Sequence, residues 1–152
     1  MAVDIVIKEI PDQLALTVRK RVSLATIAQA MGEAYGAIMG HAEASGAQYA
    51  GPPFCYYPDE VVEEFDVVVC MPVAPGATAG PGVDLETVPG GTAASTVHVG
   101  PYSALEPTYA ALREWMAANG RRPAGPPREV YLNDPATVPA SDLLTEIDWP
   151  VA

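Results

Sequence analysis

The sequence GPPREVYLNDP, residues 125–135, is the stretch from which the fold of the chain can be worked out. A near-copy, GPPFCYY, occupies residues 51–57, and in both stretches a Gly-Pro-Pro turn leads into an apolar strand. Only the later copy carries a carboxylate in that strand, Glu129, where the earlier copy has Cys55. An isolated acid in a buried strand is costly for folding. We therefore predict that Glu129 is the polar group of a ligand pocket.

Matching residues outside these stretches indicate that the chain contains two copies of one unit. Four pairs are each separated by 74 residues: Tyr35 and Tyr109, Ile38 and Leu112, Gly46 and Gly120, Gly51 and Gly125. We predict an α+β fold of duplicated β-β-α-β-β half-domains, with antiparallel sheets and two long helices around a pseudo-twofold axis. The first repeat covers residues 1–73, a Gly/Pro-rich linker covers 74–82 and the second repeat covers 83–152, all within a single domain.

Hydrophobic periodicity and turn residues give the individual elements. Predicted strands cover residues 2–10, 14–22, 54–57, 65–73, 83–88 and 92–99, followed by strands after residue 127 and around 144–151. The first helix is predicted to run from Leu24, capped by Ser23, to near Gly46. The second is predicted to start with a capping box of Ser103 and Glu106 and to stop at residues 119–120.

Composition limits the possible partners. The 152 residues are 49% hydrophobic with a net charge of −11, from 19 acids and 8 bases, which disfavours direct nucleic-acid binding. No apolar run approaches the roughly 20 residues needed to cross a bilayer. Charged residues near the N-terminus, Asp4, Lys8 and Glu9, argue against a signal peptide. We therefore expect a cytoplasmic protein that does not bind membranes.

Cysteine and histidine residues give no sign of a metal or cofactor site. Cys55 and Cys70 lie in apolar sequence and are interpreted as buried thiols, with a disulfide between adjacent strands as the alternative. His41 and His98 fall in different halves without metal-ligand spacing, so each is interpreted as a core or surface histidine. We predict no metal and no cofactor.

A set of motifs in the second half carries a family resemblance. It comprises VHVGPY (residues 97–102), Trp115, Gly120, REVYLNDP (residues 128–135) and LTEI (residues 144–147). Together they resemble the GyrI-like small-molecule-binding family, which also provides the effector-binding module of several multidrug-responsive transcription regulators. The resemblance implies two halves enclosing a pocket for lipophilic, often cationic, molecules, with the glutamate at position 129 facing the ligand's positive charge. No helix-turn-helix is recognised here, so any regulation is expected to need a separate partner.

The strand period selects the residues around this acid. Glu129 and Tyr131 are two residues apart and therefore share one face of a strand. The 74-residue offset places Tyr57 and Cys55 as an apolar wall in the first half, and Tyr102 is a second aromatic candidate. The resemblance also places an acid at position 146, so Glu146 is expected to assist Glu129 or to shape the polarity of the cavity. The alternative is a solvated strand residue.

Alternatives remain open for several of these residues. Glu129 can instead pair with Arg128, Arg121 or a backbone donor, and Tyr102 can simply pack over the start of the helix. Trp115 is predicted to belong to the core, because it lies on the same helical stripe as Leu112.

The leading interpretation is a small-molecule-binding protein for lipophilic, cationic compounds, acting as a sensor or a sequestering agent. The alternative is a hydrolase of cyclopropane-bearing alkylating natural products, with Glu129 as general base and Tyr131 or Tyr57 as proton donor. The resemblance also allows inhibition of DNA gyrase, which would make gyrase or a separate regulator the protein partner. Haem binding is the weakest candidate, because no histidine is suitably placed.

Overall fold

Residues 4–152 of the chain are described by the structure, a computed structural model. Within them lie eight strands, whose pairings are antiparallel, and two helices, which confirms the α+β class. The elements are β1 (Val6–Ile10), β2 (Gln13–Val22), α1 (Ile27–Ser45), β3 (Phe54–Tyr56), β4 (Phe65–Pro72), β5 (Asp84–Val88), β6 (Gly91–Val99), α2 (Glu106–Ala118), β7 (Arg128–Tyr131) and β8 (Leu144–Pro150). Residues 2 and 3 of the first predicted strand lie outside the described residues.

The chain divides into two compact units. Unit 1 contains residues 4–10 and 91–152 of the described chain, with strands in the order β1-β6-β8-β7 and helix α2. Unit 2 contains residues 11–90, with strands in the order β3-β4-β2-β5 and helix α1. Two short 3-10 turns, Tyr102–Ala104 and Ala140–Asp142, also belong to unit 1.

Strand pairing divides the chain at different points from the predicted repeats. β1 pairs over residues 6–10 with β6, while β5 pairs over residues 84–88 with β2. The opening strand of each predicted repeat is therefore built into the sheet of the other repeat. Periodicity could not have shown this, because it gives the position of a strand but not its partner.

The two helix starts differ from the sequence prediction. Helix α1 has Thr26 at its N-cap rather than Ser23, whose backbone carbonyl instead accepts the amides of Thr26 and Ile27. In α2 the predicted capping box is absent, because Ser103 lies in a 3-10 turn and the Glu106 carboxylate accepts a hydrogen bond from Arg113. An extra turn of chain before each helix shifts the cap away from the residues selected by composition.

Corresponding residues of the two units make corresponding contacts. Gly46 and Gly120 end the helices with φ of 74° and 65°, a conformation that glycine adopts without strain. A Cβ atom on Gly51 would lie 3.7 Å from Pro72, and one on Gly125 would lie 3.6 Å from Pro150. These paired contacts are what a duplication would leave, and the duplication itself stays a prediction.

Helix α2 covers one face of the unit 1 sheet and positions the candidate site. The buried core between them consists of Ala94, Leu105, Leu112, Met116, Ile147 and Val151. Trp115 packs partly buried against this cluster, as predicted. The stripe of large side chains on α2 therefore determines which face of β7 and β8 is covered by the helix.

Candidate functional site

Strand β7 directs Glu129 toward helix α2. In the pairing of β7 with β8, Glu129 lies opposite Ile147 and Tyr131 lies opposite Thr145. Ile147 is fully buried in the core cluster beneath α2. Because residues opposite one another in an antiparallel pair share a face, Glu129 and Tyr131 also face the helix.

The Glu129 carboxylate is buried between two tyrosine hydroxyls. Its exposed fraction is 6%. The Tyr109 hydroxyl, on α2, donates to Oε2 at 2.6 Å, and the Tyr131 hydroxyl donates to Oε1 at 3.2 Å. The shorter contact is in the range of a charge-assisted hydrogen bond. The acid is therefore held in a defined orientation from both the helix and its own strand.

Aromatic rings extend this arrangement on both sides. Tyr102 contacts Tyr131 edge to face, with ring centroids 5.6 Å apart, and Tyr109 contacts Trp149 in the same way at 5.8 Å. Two tyrosines thus donate to the carboxylate, and a further aromatic ring packs against each of them. Such rings attract cations through their negative faces.

The surroundings of Tyr102 raise the pKa of its hydroxyl. Burial is the largest cause of a raised pKa of its hydroxyl, and the negative charges of Asp134 and Glu129 raise that pKa further. The Tyr102 side chain is still 38% exposed, so it borders solvent while the carboxylate behind it does not. The partly exposed Tyr102 ring is therefore one side chain, Tyr131, away from the buried Glu129.

The site contains two residues that the sequence did not select. The sequence identified Tyr109 only as the repeat counterpart of Tyr35, and it did not single out Trp149. The available signal was that Tyr109 is the phenol in a stripe of aliphatic side chains, and a buried phenol needs a hydrogen-bond partner. Arg128 lies opposite Asp148 in the β7–β8 pairing, next to Glu129 along the strand.

Glu146 does not lie beside Glu129. It is opposite Val130 in the β7–β8 pairing, which places it on the sheet face away from α2. There the Lys8 ammonium lies 3.0 Å from each of its carboxylate oxygens. The expectation that Glu146 assists Glu129 does not fit this geometry. Glu146 is next to Ile147, the residue opposite Glu129, and neighbouring residues of a strand point to opposite faces.

Tyr57 and Cys55 lie in unit 2, and each has an apolar neighbour there. The Tyr57 ring contacts Phe65 edge to face at 5.8 Å, and Cys55 is buried opposite Val69 on β4. Their predicted contact with a ligand stays a prediction. Cys70 lies opposite Phe54 and so faces the other side of the sheet from Cys55, which removes the disulfide alternative.

Tyr35, the counterpart of Tyr109 in unit 2, has a backbone carbonyl as its hydrogen-bond acceptor in place of a carboxylate. The Tyr35 hydroxyl donates to the backbone carbonyl of Phe54 at 3.3 Å. Tyr109, its counterpart 74 residues later, donates to a carboxylate instead. The asymmetry between Cys55 and Glu129 therefore extends to the hydrogen bond made by the helix tyrosine.

Other candidate sites are poorer in ligand chemistry. Among residues 4–152, no group of three or more His, Cys, Asp or Glu side chains is placed to hold a metal ion. A shallow cavity of about 260 Å³ lies in unit 2, lined by residues 45–48 and 74–77. Its lining has neither an acid nor an aromatic ring, so the Glu129 site is the better candidate.

Comparison with known proteins identifies the family of this chain. The model of the GyrI-like small molecule binding domain matches residues 4–152. The chain belongs to this family. No curated protein matches it by sequence. None of the helices in the described part of the chain is long and apolar enough to cross a membrane.

Solved structures of other proteins share the GyrI-like fold. The C-terminal domain of EcmrR matches with a TM-score of 0.87 and 25% identity, covering 100% of this chain and 99% of that one. EcmrR in its complex with DNA matches equally well at 26% identity, over 97% of this chain and 57% of that one. A hydrolase from Listeria innocua matches with a TM-score of 0.72 and 15% identity, covering 97% and 91%. SAV2435 bound to tetraphenylphosphonium matches with a TM-score of 0.68 and 13% identity, covering 98% and 94%.

A second buried acid of this GyrI-like domain lies on the face away from α2. Asp148 is 3% exposed and accepts a hydrogen bond from the Ser95 hydroxyl at 2.6 Å. Burial raises its pKa to about 6, with a further increase from a hydrogen bond with Glu146, while Ser95 and Lys8 act in the opposite direction. Asp148 therefore holds a proton at mildly acidic pH in the folded protein.

This raised pKa predicts a pH-dependent stability. A carboxyl with a higher pKa in the folded state binds its proton more tightly there, so stability falls as the pH rises from about 4 to about 6. We expect Asp148→Asn to raise the free energy of unfolding at pH 7.5 by on the order of 2 kcal/mol and to give no gain at pH 4. Urea unfolding of both proteins at the two pH values measures this.

Asp66→Asn is the control of opposite sign for this experiment. A hydrogen bond from Arg19 lowers the pKa of Asp66, so the stability from this pair is present at neutral pH and disappears in acid. Its substitution should not stabilise the protein at pH 7.5. Parallel pH profiles for wild type and Asp148→Asn would contradict the assignment to Asp148.

Thr145 provides a separate test of the packing beside the site. Its hydroxyl is completely buried and is without a hydrogen-bond partner among residues 4–152. Since a buried hydroxyl without a partner costs ~1–3 kcal/mol, we expect Thr145→Val to raise the free energy of unfolding by about 1 kcal/mol. Thr108→Val, which removes a hydroxyl bonded to His98, should have the opposite effect. Chemical denaturation measures the stability of both variants. Destabilisation by Thr145→Val would show that the Thr145 hydroxyl has a hydrogen-bond partner in solution.

Proposed function

We propose that this GyrI-like domain binds lipophilic organic cations at Glu129 and acts as a sensor or sequestering protein for them. The observation that supports this most directly is a carboxylate only 6% exposed, with each oxygen accepting a tyrosine hydroxyl. These contacts orient the acid within an aromatic frame.

Electrostatics favour a cation over a neutral or anionic molecule in this site. Burying a carboxylate is expensive, and an opposite charge brought into the same low-dielectric surroundings recovers part of that cost. Each ring faced by the cation adds about 0.5–2 kcal/mol. The net charge of −11 also favours the approach of cations over long range. SAV2435, a fold neighbour bound to tetraphenylphosphonium, provides a suitable probe compound.

Entry of a ligand requires movement of an aromatic side chain. Glu129 is nearly inaccessible, whereas Tyr102 is 38% exposed and touches Tyr131, which in turn touches the acid. Displacing Tyr102 is therefore the shortest way to uncover the carboxylate. A large, flat or propeller-shaped cation can then replace the ring contact that it breaks.

We expect Glu129→Gln to weaken binding of tetraphenylphosphonium by tenfold or more, on the order of 1.4 kcal/mol. Glutamine keeps the volume, and its carbonyl oxygen can accept one tyrosine hydroxyl while its amide NH2 donates to the oxygen of the other. The change therefore removes the charge with little loss of packing. Isothermal titration calorimetry measures the affinity, and circular dichroism checks that the fold is retained.

Two controls make this experiment specific to charge at the site. Glu106→Gln removes one negative charge from the exposed start of α2 and should change affinity less than about twofold. Neutral triphenylphosphine oxide should bind wild type and Glu129→Gln equally. Equal affinity of wild type and Glu129→Gln for tetraphenylphosphonium would show that Glu129 does not face the cation.

A second candidate function is hydrolysis of cyclopropane-bearing alkylating compounds. The observation in its favour is the direct contact between an acid and two phenols, since a carboxylate can take a proton from water and a phenol can return one. A hydrolase from Listeria innocua has the same fold at 15% identity, which supports the architecture and not the chemistry. Binding and hydrolysis would use the same residues, so only turnover separates them.

Incubation with a cyclopropane-bearing alkylating agent tests the second candidate. If the domain only binds, mass spectrometry will find the water adduct forming no faster than it does without protein. Faster formation that disappears in Glu129→Gln would instead establish hydrolysis at this site. Faster formation that persists in that variant would place the reaction elsewhere.

A further inference from the structure

His98 links the two segments that carry the aromatic residues of the site. Its ring is 9% exposed, on the face of β6 toward α2. Nδ1 lies 3.0 Å from the Thr108 hydroxyl, and Nε2 lies 3.1 Å from the Pro101 carbonyl oxygen. Thr108 directly precedes Tyr109 on α2, and Pro101 directly precedes Tyr102. The His98 ring therefore contacts the residues that directly precede two tyrosines of the site.

The chemistry of the two partners fixes how the ring is used. A carbonyl oxygen only accepts hydrogen bonds, so Nε2 must carry a hydrogen. A hydroxyl both donates and accepts, so the contact with Thr108 forms whether Nδ1 carries a hydrogen or not. The link is thus available to neutral and protonated histidine alike. That suits a positioning role better than proton transfer.

The backbone before Tyr102 depends on the same ring. Gly100 has a φ of 127°, which side-chain-bearing residues rarely adopt, and its amide donates to the Leu143 carbonyl at 2.9 Å. A Cβ atom at Gly100 would lie 3.7 Å from His98 Nε2. The turn is therefore attached at Gly100 to the segment before β8 and at Pro101 to His98. Tyr102 leaves this doubly attached turn and meets Tyr131.

We propose that His98 is a positioning residue of the ligand site, which holds Tyr102 against Tyr131 and fixes the helix turn that presents Tyr109 to Glu129. This inference rests on the proposed cation binding at Glu129. It assigns His98 no contact with the ligand. Its effect on binding must therefore pass through the tyrosines that it positions.

A double-mutant cycle with tetraphenylphosphonium affinity as the readout tests whether His98 affects binding through Tyr102. His98→Phe removes both hydrogen bonds and keeps a buried ring, and we expect it to weaken affinity by about fivefold. In a Tyr102→Ala background the same substitution should cost clearly less than fivefold, because one of the two tyrosines through which it acts is gone. Equal losses in both backgrounds would overturn the proposal, and so would unchanged affinity in His98→Phe.

Two further variants keep the outcome interpretable. Thr108→Val breaks only the Nδ1 contact and serves if His98→Phe does not fold, with the same dependence expected in a Tyr109→Phe background. His41→Phe is the matched control, because His41 makes a similar ring-to-carbonyl contact of 2.7 Å with Thr78 in unit 2. Its substitution should leave affinity unchanged, and a loss equal to that of His98→Phe would overturn the proposal.

Hydrogen exchange without ligand separates this inference from the proposed function. We expect faster exchange of the amides of residues 100–105 in His98→Phe than in wild type. Unchanged exchange would overturn the positioning role even if the cation binds. If wild type does not bind tetraphenylphosphonium, cation binding fails for this probe and so does the role of His98 in it.

Discussion

The hydrogen bond from Tyr109 to Glu129, 2.6 Å long, is the contact on which the arrangement of unit 1 depends. It joins helix α2 to strand β7 at a point where the sheet would otherwise bury a charge against an aliphatic core. Burying an acid is tolerable when its oxygens accept good donors. The packing of α2 on the sheet and the burial of the acid are therefore linked through this hydrogen bond.

The elements of the fold could largely be predicted from sequence, because each strand and helix follows from local periodicity and turn residues. Glycines 46 and 120 end their helices as expected, and the core stripe of α2 includes Leu112 and Met116. Strand partnership could not be predicted, since β1 and β5 join sheets that contain few of their sequence neighbours. The helix caps failed for a related reason: a short turn before each helix displaced the residue that composition favoured.

The candidate site could be predicted in part. Glu129 was recognisable as an isolated acid in an apolar strand, and the two-residue period placed Tyr131 beside it, where its hydroxyl donates to the acid. Tyr109 was hidden because a helix residue on a core stripe looks structural until its distance from β7 is known. Glu146 misled because the resemblance gives an acid at this position, and only the pairing with Val130 shows which face that acid occupies. The side chains that meet at Glu129 are set by the register of β7 against β8 and by the packing of α2, and residue type alone does not reveal either.

The pairing of β1 with β6 also affects how the chain can fold. Contacts across this pair join residues far apart in sequence, as in the hydrogen bond between Glu9 and Thr92, which are 83 residues apart. During synthesis β1 emerges early but cannot pair until β6 follows, so its edge remains open while most of unit 2 is made. Contacts of such long range slow folding. Each sequence half contributes its first strand to the sheet of the other half: β1 pairs with β6, and β5 pairs with β2. Neither half alone would therefore contain a complete sheet, and both must be present for folding to finish.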